Sequence, residues 1–276
     1  MLADYHVHTP YCGHARGTII EYINSAISCG LHEIGFADHL GRYYLTGIQR
    51  RRYWDWGMDE RNLARYVAEL LELRELFKDK IRIKIGLEVD YVEGAEDLLE
   101  PIVSRYPLDY LLGSVHCIPQ FGWKHLSSYS KSPETLTIYK EYFRVARSAL
   151  RSGLFNVFAH PDFIWRYIGW PQHDPAMPFQ EIAETVRVAG DAGRAIEINA
   201  NGFLWSQANM VETDDPFEVL LDQCKRCHVP VSLGSDAHEP AMVGKLFPEL
   251  IATLRRKGIT SIACFSEGKQ IKEALG

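Results

Sequence analysis

The chain has 276 residues, of which 46% are hydrophobic and 24% charged, so it can bury a substantial core and is not globally disordered. Its formal net charge of −6 argues against broad electrostatic binding to nucleic acid. The sequence contains neither an apolar run long enough to cross a bilayer nor a secretory signal. These features predict a cytoplasmic protein whose six cysteines are reduced thiols.

Strand-like and helix-like segments alternate along the whole chain. The predicted strands are 2–8, 33–38, 81–90, 109–115, 155–160, 194–199 and 229–235, and the run 259–265 is either an eighth strand or a peripheral one. The predicted helices are about 17–29, 60–78, 95–104, 133–151, 178–192, 216–227, 240–257 and 267–275. Ser132 and Asp215 each precede a first-turn proline, which is a helix start signal.

Repeated strand–helix units predict a parallel sheet. With seven or eight such units, a closed barrel is favoured over an open doubly wound sheet, because the sequence has no GxGxxG or P-loop pattern. No linker or repeat divides the chain, so we expect residues 1–276 to form one domain.

Long connections follow four of the predicted strands, at 39–59, 116–132, 161–177 and 200–215. In a barrel these connections form the C-terminal mouth, where active sites lie. All six tryptophans fall in these loops: Trp54, Trp56, Trp123, Trp165, Trp170 and Trp205. They either line an aromatic pocket or form small cores within the loops themselves.

Each of the seven predicted strands ends in side chains that can bind a metal ion. His6 and His8 lie two residues apart and therefore project from the same face of the first strand, with His14 in the following loop. The later strand ends supply Asp38 and His39, Glu88 and Asp90, His116, His160 and Asp162, Glu197 and Asn199, and Asp236 and His238. Because the ends of parallel strands share one rim, this pattern predicts a multinuclear metal centre at the barrel mouth.

The order of these motifs resembles that of the polymerase-and-histidinol-phosphatase (PHP) superfamily. The motifs are His-x-His, Ala-Asp-His, Gly-Leu-Glu, Ser-Val-His, Ala-His-Pro and Ser-Asp-Ala-His, and they span residues 6–238. The resemblance implies a distorted (β/α)7 TIM-like barrel, and it is strongest to stand-alone histidinol-phosphate phosphatases of histidine biosynthesis.

The resemblance also implies three divalent metal ions, which could be Zn, Mn or Fe. It assigns one ion to His6, His8, Glu88 and Asp236, a second to Glu88, His116 and His160, and a third to His14, His39 and His238. Glu88 would bridge two ions, and Glu88, Asp236 and His160 are the predicted catalytic residues. Asp38, Asp90 and Asp162 are expected to orient imidazoles from behind, although Asp162 could instead transfer a proton.

Such a centre suits the hydrolysis of a phosphate monoester, with L-histidinol phosphate as the expected substrate. Adjacent ions can share a hydroxide at neutral pH and can stabilise the charge on the phosphate oxygens. Arg166 is the predicted phosphate clamp, because its planar guanidinium matches phosphate oxygens. Trp205 and Arg52 are the other predicted substrate-binding residues; the alternative for both arginines is a solvated loop position.

The sequence departs from the expected pattern after the sixth strand. The resemblance implies a basic residue soon after the segment 197–202, but no Arg or Lys occurs before Lys225. Two other functions therefore stay open, a PHP-type phosphodiesterase or nuclease that uses Arg50–Arg52, and a non-catalytic metal-binding barrel.

Overall fold

Seven parallel strands form the centre of the protein, and each pairs with the next strand along the chain. The computed structural model describes residues 1–51, 57–130, 132–171, 174–209 and 215–275. The strands are β1 (Ala3–Val7), β2 (Glu33–His39), β3 (Arg82–Asp90), β4 (Tyr110–Ser114), β5 (Val157–Phe158), β6 (Ala195–Asn199) and β7 (Val231–Gly234).

The first and last strands of this sheet meet and bring the barrel close to full closure. The amide of His8 donates to the carbonyl of Ala237 at 2.9 Å, and the amide of Ala237 donates to the carbonyl of His6 at 3.3 Å. The register between β1 and β2 shifts between Asp4 and Val7, and β5 has only two residues, so the barrel is irregular. The predicted distorted (β/α)7 barrel is therefore confirmed.

Helices connect the strands and pack around the barrel. They are α1 (Ile19–Ser28), α2 (Gly47–Arg51), α3 (Glu60–Phe77), α4 (Glu96–Val103), α5 (Thr135–Arg151), α6 (Phe163–Ile168), α7 (Ala176–Asp191), α8 (Ala200–Asn209), α9 (Pro216–Arg226) and α10 (Phe247–Arg256). The side chain of Asp215 caps α9 by accepting from the amide of Phe217, as its sequence position predicts. The helix start predicted after Ser132 is too early, because α5 begins at Thr135.

The predicted helix at 267–275 is wrong, because this segment is a strand. The chain turns back at Glu267 and Gly268, whose φ angles of +52° and +74° fit a two-residue hairpin turn. Strands β8 (Ser261–Ser266) and β9 (Lys269–Ala274) then pair antiparallel as a separate two-stranded sheet. The apolar run at 259–265 is thus a peripheral strand and not an eighth barrel strand.

Three segments predicted as loops contain helices, which are α2, α6 and α8. The predicted helix at 240–257 is broken instead. A 3-10 turn at Pro240–Met242 precedes α10, and Gly244 and Leu246 between them both have a φ of +64°. Among the described residues, no helix combines the length and apolar character that crossing a bilayer requires.

Two of the loop tryptophans are buried in the main hydrophobic core. Trp165 and Trp170 are 0% and 9% exposed and belong to the main hydrophobic cluster, and Trp170 packs against Tyr139 and Phe179. These two residues therefore neither line an open pocket nor form a separate loop core, because both join the main core of the barrel. Trp54 and Trp56 lie outside the described residues.

Candidate metal centre

The carboxyl ends of the barrel strands bring all nine predicted metal ligands into one cluster. Glu88 lies at its centre, 1% exposed, within β3. Five imidazoles approach its carboxylate: His6 at 3.1 Å, His8 at 3.4 Å, His39 at 3.1 Å, His116 at 3.3 Å and His160 at 2.8 Å. The first three face Oε2 and the last two face Oε1, so the two oxygens serve two separate groups of imidazoles.

Asp236 is the second carboxylate of the cluster and lies two residues beyond the end of β7. Its Oδ1 is 3.2 Å from Nε2 of His8 and 3.7 Å from both Nε2 of His6 and Nδ1 of His238. Burial alone would raise the pKa of Asp236, but the imidazoles of His6 and His8 hold it well below its usual value. The imidazoles have the same net effect on the pKa of Glu88.

A second group of imidazoles lies nearer the solvent. Nε2 of His14 is 3.1 Å from Nε2 of His238, and the ring of His238 stacks on that of His8 at 4.1 Å. The ring of His39 lies 5.3 Å from that of His14. Burial lowers the pKa values of His14, His39 and His238, that of His238 to about 4, so these rings are neutral near pH 7.

Carboxylates lie behind three of the imidazoles and contact the nitrogen that faces away from Glu88. The pairs are His6–Glu197 at 2.7 Å, His8–Asp38 at 3.4 Å and His116–Asp90 at 2.9 Å, each measured from Nδ1. A carboxylate beside Nδ1 favours a proton there and leaves the lone pair of Nε2 directed into the cluster. The expected positions of Asp38 and Asp90 therefore agree with the geometry.

The sequence did not assign a partner to Glu197 and did not single out Arg42. Glu197 also accepts the amide of His160 at 2.6 Å, so it positions two of the clustered histidines. Arg42, 4% exposed, donates to Asp90 at 2.6 Å and thereby extends the pair that Asp90 forms with His116. Glu197 lies two residues before the end of β6, and Arg42 follows His39 by three residues; these positions near strand ends are the signals that the sequence offers for the two residues.

Arg166 lies on α6 beside the cluster, where the sequence predicts a phosphate clamp. Its Nε is 2.6 Å from Oδ2 of Asp162, and its Nη2 is 3.9 Å from Oδ2 of Asp236. A Cβ atom on Gly202 would lie 2.5 Å from Cγ of Asp162, so glycine allows α8 to approach this pair closely. Asp162 thus forms an ion pair with Arg166, and among the described residues it contacts no imidazole in this way.

The other two predicted substrate-binding residues are Trp205 and Arg52, and the structure describes only Trp205. Trp205 lies on α8 and packs, partly exposed, against the main hydrophobic core. Arg52 lies outside the described residues.

The donor set fits divalent metal ions. Among the described residues, neither ring nitrogen of the fully buried His8 has a hydrogen bond of good geometry, although Nδ1 lies 3.4 Å from Asp38 and Nε2 lies 3.2 Å from Asp236. Buried nitrogens of this kind are costly unless an ion or a donor satisfies them. Among the described residues, five groups have their donor atoms within 4.8 Å of one another. Three consist of predicted ligands, namely His6–Glu88–His160, His6–His8–Asp236 and His8–His39–His238, and the other two include Cys12, as Cys12–His14–His238 and His8–Cys12–Asp38. Imidazole with carboxylate is a donor set that suits Zn, Mn and Fe.

Comparison with known families agrees with this arrangement of motifs. The sequence profile of the PHP domain matches residues 4–201, which is well over half of the chain. The chain belongs to the PHP domain family. Asp236 and His238 lie beyond the matched segment, and the PHP barrel brings them to the cluster because β7 closes against β1.

Relatives of this PHP protein match it over almost its whole length. A probable histidinol-phosphatase of Deinococcus radiodurans is 30% identical over 261 residues, covering 93% of this chain and 94% of that protein. The histidinol-phosphatase of Lactococcus lactis is 26% identical, covering 95% and 94% of the two chains. The matches therefore extend over nearly the full length of both relatives.

A solved structure has the same fold. The histidinol phosphate phosphatase of Lactococcus lactis, complexed with zinc, L-histidinol and phosphate, superposes with a TM-score of 0.77. It covers 98% of both chains at 23% sequence identity. The likeness confirms that the PHP barrel of this protein is complete from β1 to β7.

Proposed function

We propose that this PHP protein is a metal-dependent phosphomonoesterase that hydrolyses L-histidinol phosphate to L-histidinol and phosphate. The observation that carries the proposal is the Glu88-centred cluster of imidazoles, in a chain that matches histidinol-phosphatases over nearly its full length. A reaction of this kind belongs to histidine biosynthesis and would occur in the cytoplasm.

Three divalent ions would occupy the cluster, with zinc the first choice because the Lactococcus lactis enzyme was solved with it. The proposed ligand sets are His6, His8, Glu88 and Asp236 for one ion, Glu88, His116 and His160 for a second, and His14, His39 and His238 for a third. When bound, such ions activate water as a nucleophile and neutralise negative charge on a phosphate group.

The residues around the cluster orient the metal-binding imidazoles and set the net charge of the site. Glu88 uses its two oxygens toward separate imidazole groups, which is the geometry that a bridging carboxylate requires. Glu197, Asp38 and Asp90 fix which nitrogen of three imidazoles carries the proton. Imidazoles are neutral when they bind ions, so three divalent ions would outweigh the two inner carboxylates, and the excess positive charge favours a phosphate dianion.

Arg166 would hold the phosphate group from its place beside Asp236 at the edge of the cluster. Its guanidinium is nearly buried, with 14% of the side chain exposed, and it forms an ion pair with Asp162 in which Nε is 2.6 Å from Oδ2. A guanidinium held in this way can donate to two phosphate oxygens without losing further side-chain entropy. Since α8 has no Arg or Lys, we assign phosphate recognition to Arg166 together with the ions.

A turnover screen of the full-length protein, reconstituted separately with Zn, Mn and Fe, tests the proposal. The substrates are L-histidinol phosphate, nucleoside monophosphates and a phosphate bis-ester, and the released phosphate or alcohol is measured. We expect kcat/KM for L-histidinol phosphate to exceed the others by about 100-fold, a gap of about 2.7 kcal/mol in transition-state binding. Preferential cleavage of the bis-ester would instead indicate a phosphodiesterase, and absence of turnover with every metal would contradict any esterase.

A further inference from the structure

An aromatic surface begins at the metal cluster and continues to the solvent. Phe163, at the start of α6, packs edge-on against His116 at 4.6 Å and lies 5.1 Å from the ring of His160. Both histidines are proposed ligands of the same ion. Phe163 is only 5% exposed, so it forms the inner end of this surface.

Two further rings extend the surface outward from Phe163. Tyr167 lies 4.4 Å from Phe163 and is 38% exposed, and His125 lies 5.4 Å from both rings at nearly right angles. We call His125, Phe163 and Tyr167 the aromatic wall. The guanidinium of Arg166 lies over the rings of Phe163 and Tyr167, at 5.5 and 5.8 Å from their centres. The wall therefore adjoins the predicted phosphate clamp.

The ring of His125 is held in place by its own loop. Its Nδ1 accepts the backbone amide of Ser127 at 3.2 Å and lies 2.7 Å from the Ser127 hydroxyl. The ring plane is within 9° of that of His116, at a centre-to-centre distance of 6.2 Å. A ring fixed in this way loses little entropy when a ligand packs on it.

The order of groups in this part of the molecule matches the order of groups in the proposed substrate. In L-histidinol phosphate a short carbon chain separates the phosphate group from a flat imidazole. Here the Arg166 guanidinium and the ligand cluster are followed outward by Phe163, then by Tyr167 and His125. A phosphate beside Arg166 would thus leave the remainder of the ester against the aromatic wall.

We propose that the aromatic wall binds the imidazole ring of the substrate and determines specificity for phosphate esters that carry a flat nitrogen heterocycle. This inference rests on the proposed function. Ring–ring contacts stabilise such a complex through the preferred stacked and edge-to-face geometries. Tyr167 is 38% exposed, so its ring is accessible to a ligand.

The test compares two substrates in metal-reconstituted, full-length enzyme. L-Histidinol phosphate carries the imidazole, and O-phosphoethanolamine carries a phosphate and an ammonium group but no ring. We expect Tyr167→Ala and His125→Asn each to lower the ratio of their kcat/KM values by about threefold to tenfold, chiefly through KM for L-histidinol phosphate. Asparagine at position 125 keeps an acceptor for the Ser127 amide, so that variant separates the ring from its capping role.

Two controls and one binding measurement complete the test. Tyr167→Phe keeps the ring and should restore the ratio, and Leu76→Ala removes a side chain that is 70% exposed on α3 and should not change it. Calorimetry with L-histidinol alone should show weaker binding in Tyr167→Ala than in Leu76→Ala, independently of turnover.

The failure of this inference is distinguishable from failure of the proposed function. If wild-type enzyme prefers L-histidinol phosphate and the ratio is unchanged in both ring-removing variants, the aromatic wall is not the specificity surface. If wild-type enzyme cleaves both esters equally well, the proposed substrate is wrong and the inference fails with it.

Discussion

At the scale of single residues, the cluster depends on one buried carboxylate. Glu88 is within 3.4 Å of five imidazoles that come from four other strands or their following loops. An isolated buried carboxylate is costly, and here the surrounding imidazoles and the proposed ions offset that cost. Glu88 is therefore explained by the metal site, because a carboxylate does not stabilise an apolar barrel core.

Glu88→Gln should abolish turnover and reduce the bound metal. The amide is neutral and offers only one acceptor, so it cannot serve both groups of imidazoles as the carboxylate does. We expect kcat/KM to fall by more than about 100-fold and the metal content measured by elemental analysis to fall by at least one ion. Glu75→Gln, at a side chain that is 74% exposed, is the matched control. Near-normal turnover with full metal content would refute the bridging role.

Asp90→Asn should weaken metal binding while leaving the fold intact. Asp90 contacts Nδ1 of His116 and receives a hydrogen bond from Arg42, and the arginine and histidine hold its pKa well below the usual value despite burial. Loss of this charge should lower the affinity for one ion by about 10- to 100-fold, measured by competition with a chelator. The exposed Asp79→Asn is the control, and equal affinities in the two variants would show that Asp90 does not act on the metal.

At the scale of elements, the β8–β9 hairpin covers the end of the barrel opposite to the cluster. The hydroxyl of Tyr5 on β1 accepts the amide of Phe265 on β8 at 3.2 Å and donates to Glu33 on β2. Arg82 on β3 donates to the same glutamate at 2.7 Å. Phe265 thus connects the hairpin to Tyr5 on β1, and through Glu33 this contact is linked to β2 and β3. Residues 269–274 are a strand because they pair with β8.

Tyr5→Phe should destabilise the protein through this hairpin. The substitution removes one hydroxyl and leaves the amide of Phe265 and the carboxylate of Glu33 without that partner, in a fully buried position. We expect the free energy of unfolding to fall by about 1–3 kcal/mol in urea denaturation. Tyr11→Phe is the control, since its hydroxyl contacts Glu69 in an exposed pair. Equal losses in the two variants would mean that the hairpin contact contributes nothing specific.

At the scale of the whole molecule, the contact that closes the barrel also brings ligands of the cluster together. β1 carries His6 and β7 precedes Asp236, and the two strands meet through the contacts of His6, His8 and Ala237. Ions bound between them would connect the first and last strands of the barrel. Metal binding should therefore stabilise the folded protein as well as support catalysis.

Removal of the metal ions should lower the thermal midpoint. An ion present at 100 times its dissociation constant adds about 2.7 kcal/mol, which corresponds to a shift in Tm of at least about 5 °C in a protein of this size. Because imidazole binds ions only when unprotonated, the shift should shrink as the pH falls and protons compete with the ions for the histidines. Scanning calorimetry with and without chelator measures it, with Glu88→Gln as the control. A Tm that does not depend on metal would contradict structural binding between β1 and β7.

The sequence alone determined the barrel and the residues at its mouth. Seven apolar strands that each end in a ligand-type side chain are a local pattern, and parallel strands in a barrel place such ends on one rim. That argument needs only the period of each strand and the type of its last residues. It therefore predicted Glu88 and the histidines of the cluster before any contact was known.

Only the tertiary structure decided which side chains touch. Glu197 and His6 are 191 residues apart, Phe265 and Tyr5 are 260 apart, and no periodicity in the sequence relates either pair. The same holds for His125, whose place beside Phe163 and Tyr167 depends on how two loops fold over the mouth. The physical reason is that local patterns fix the direction of a side chain within its own element, whereas contacts depend on how the elements pack.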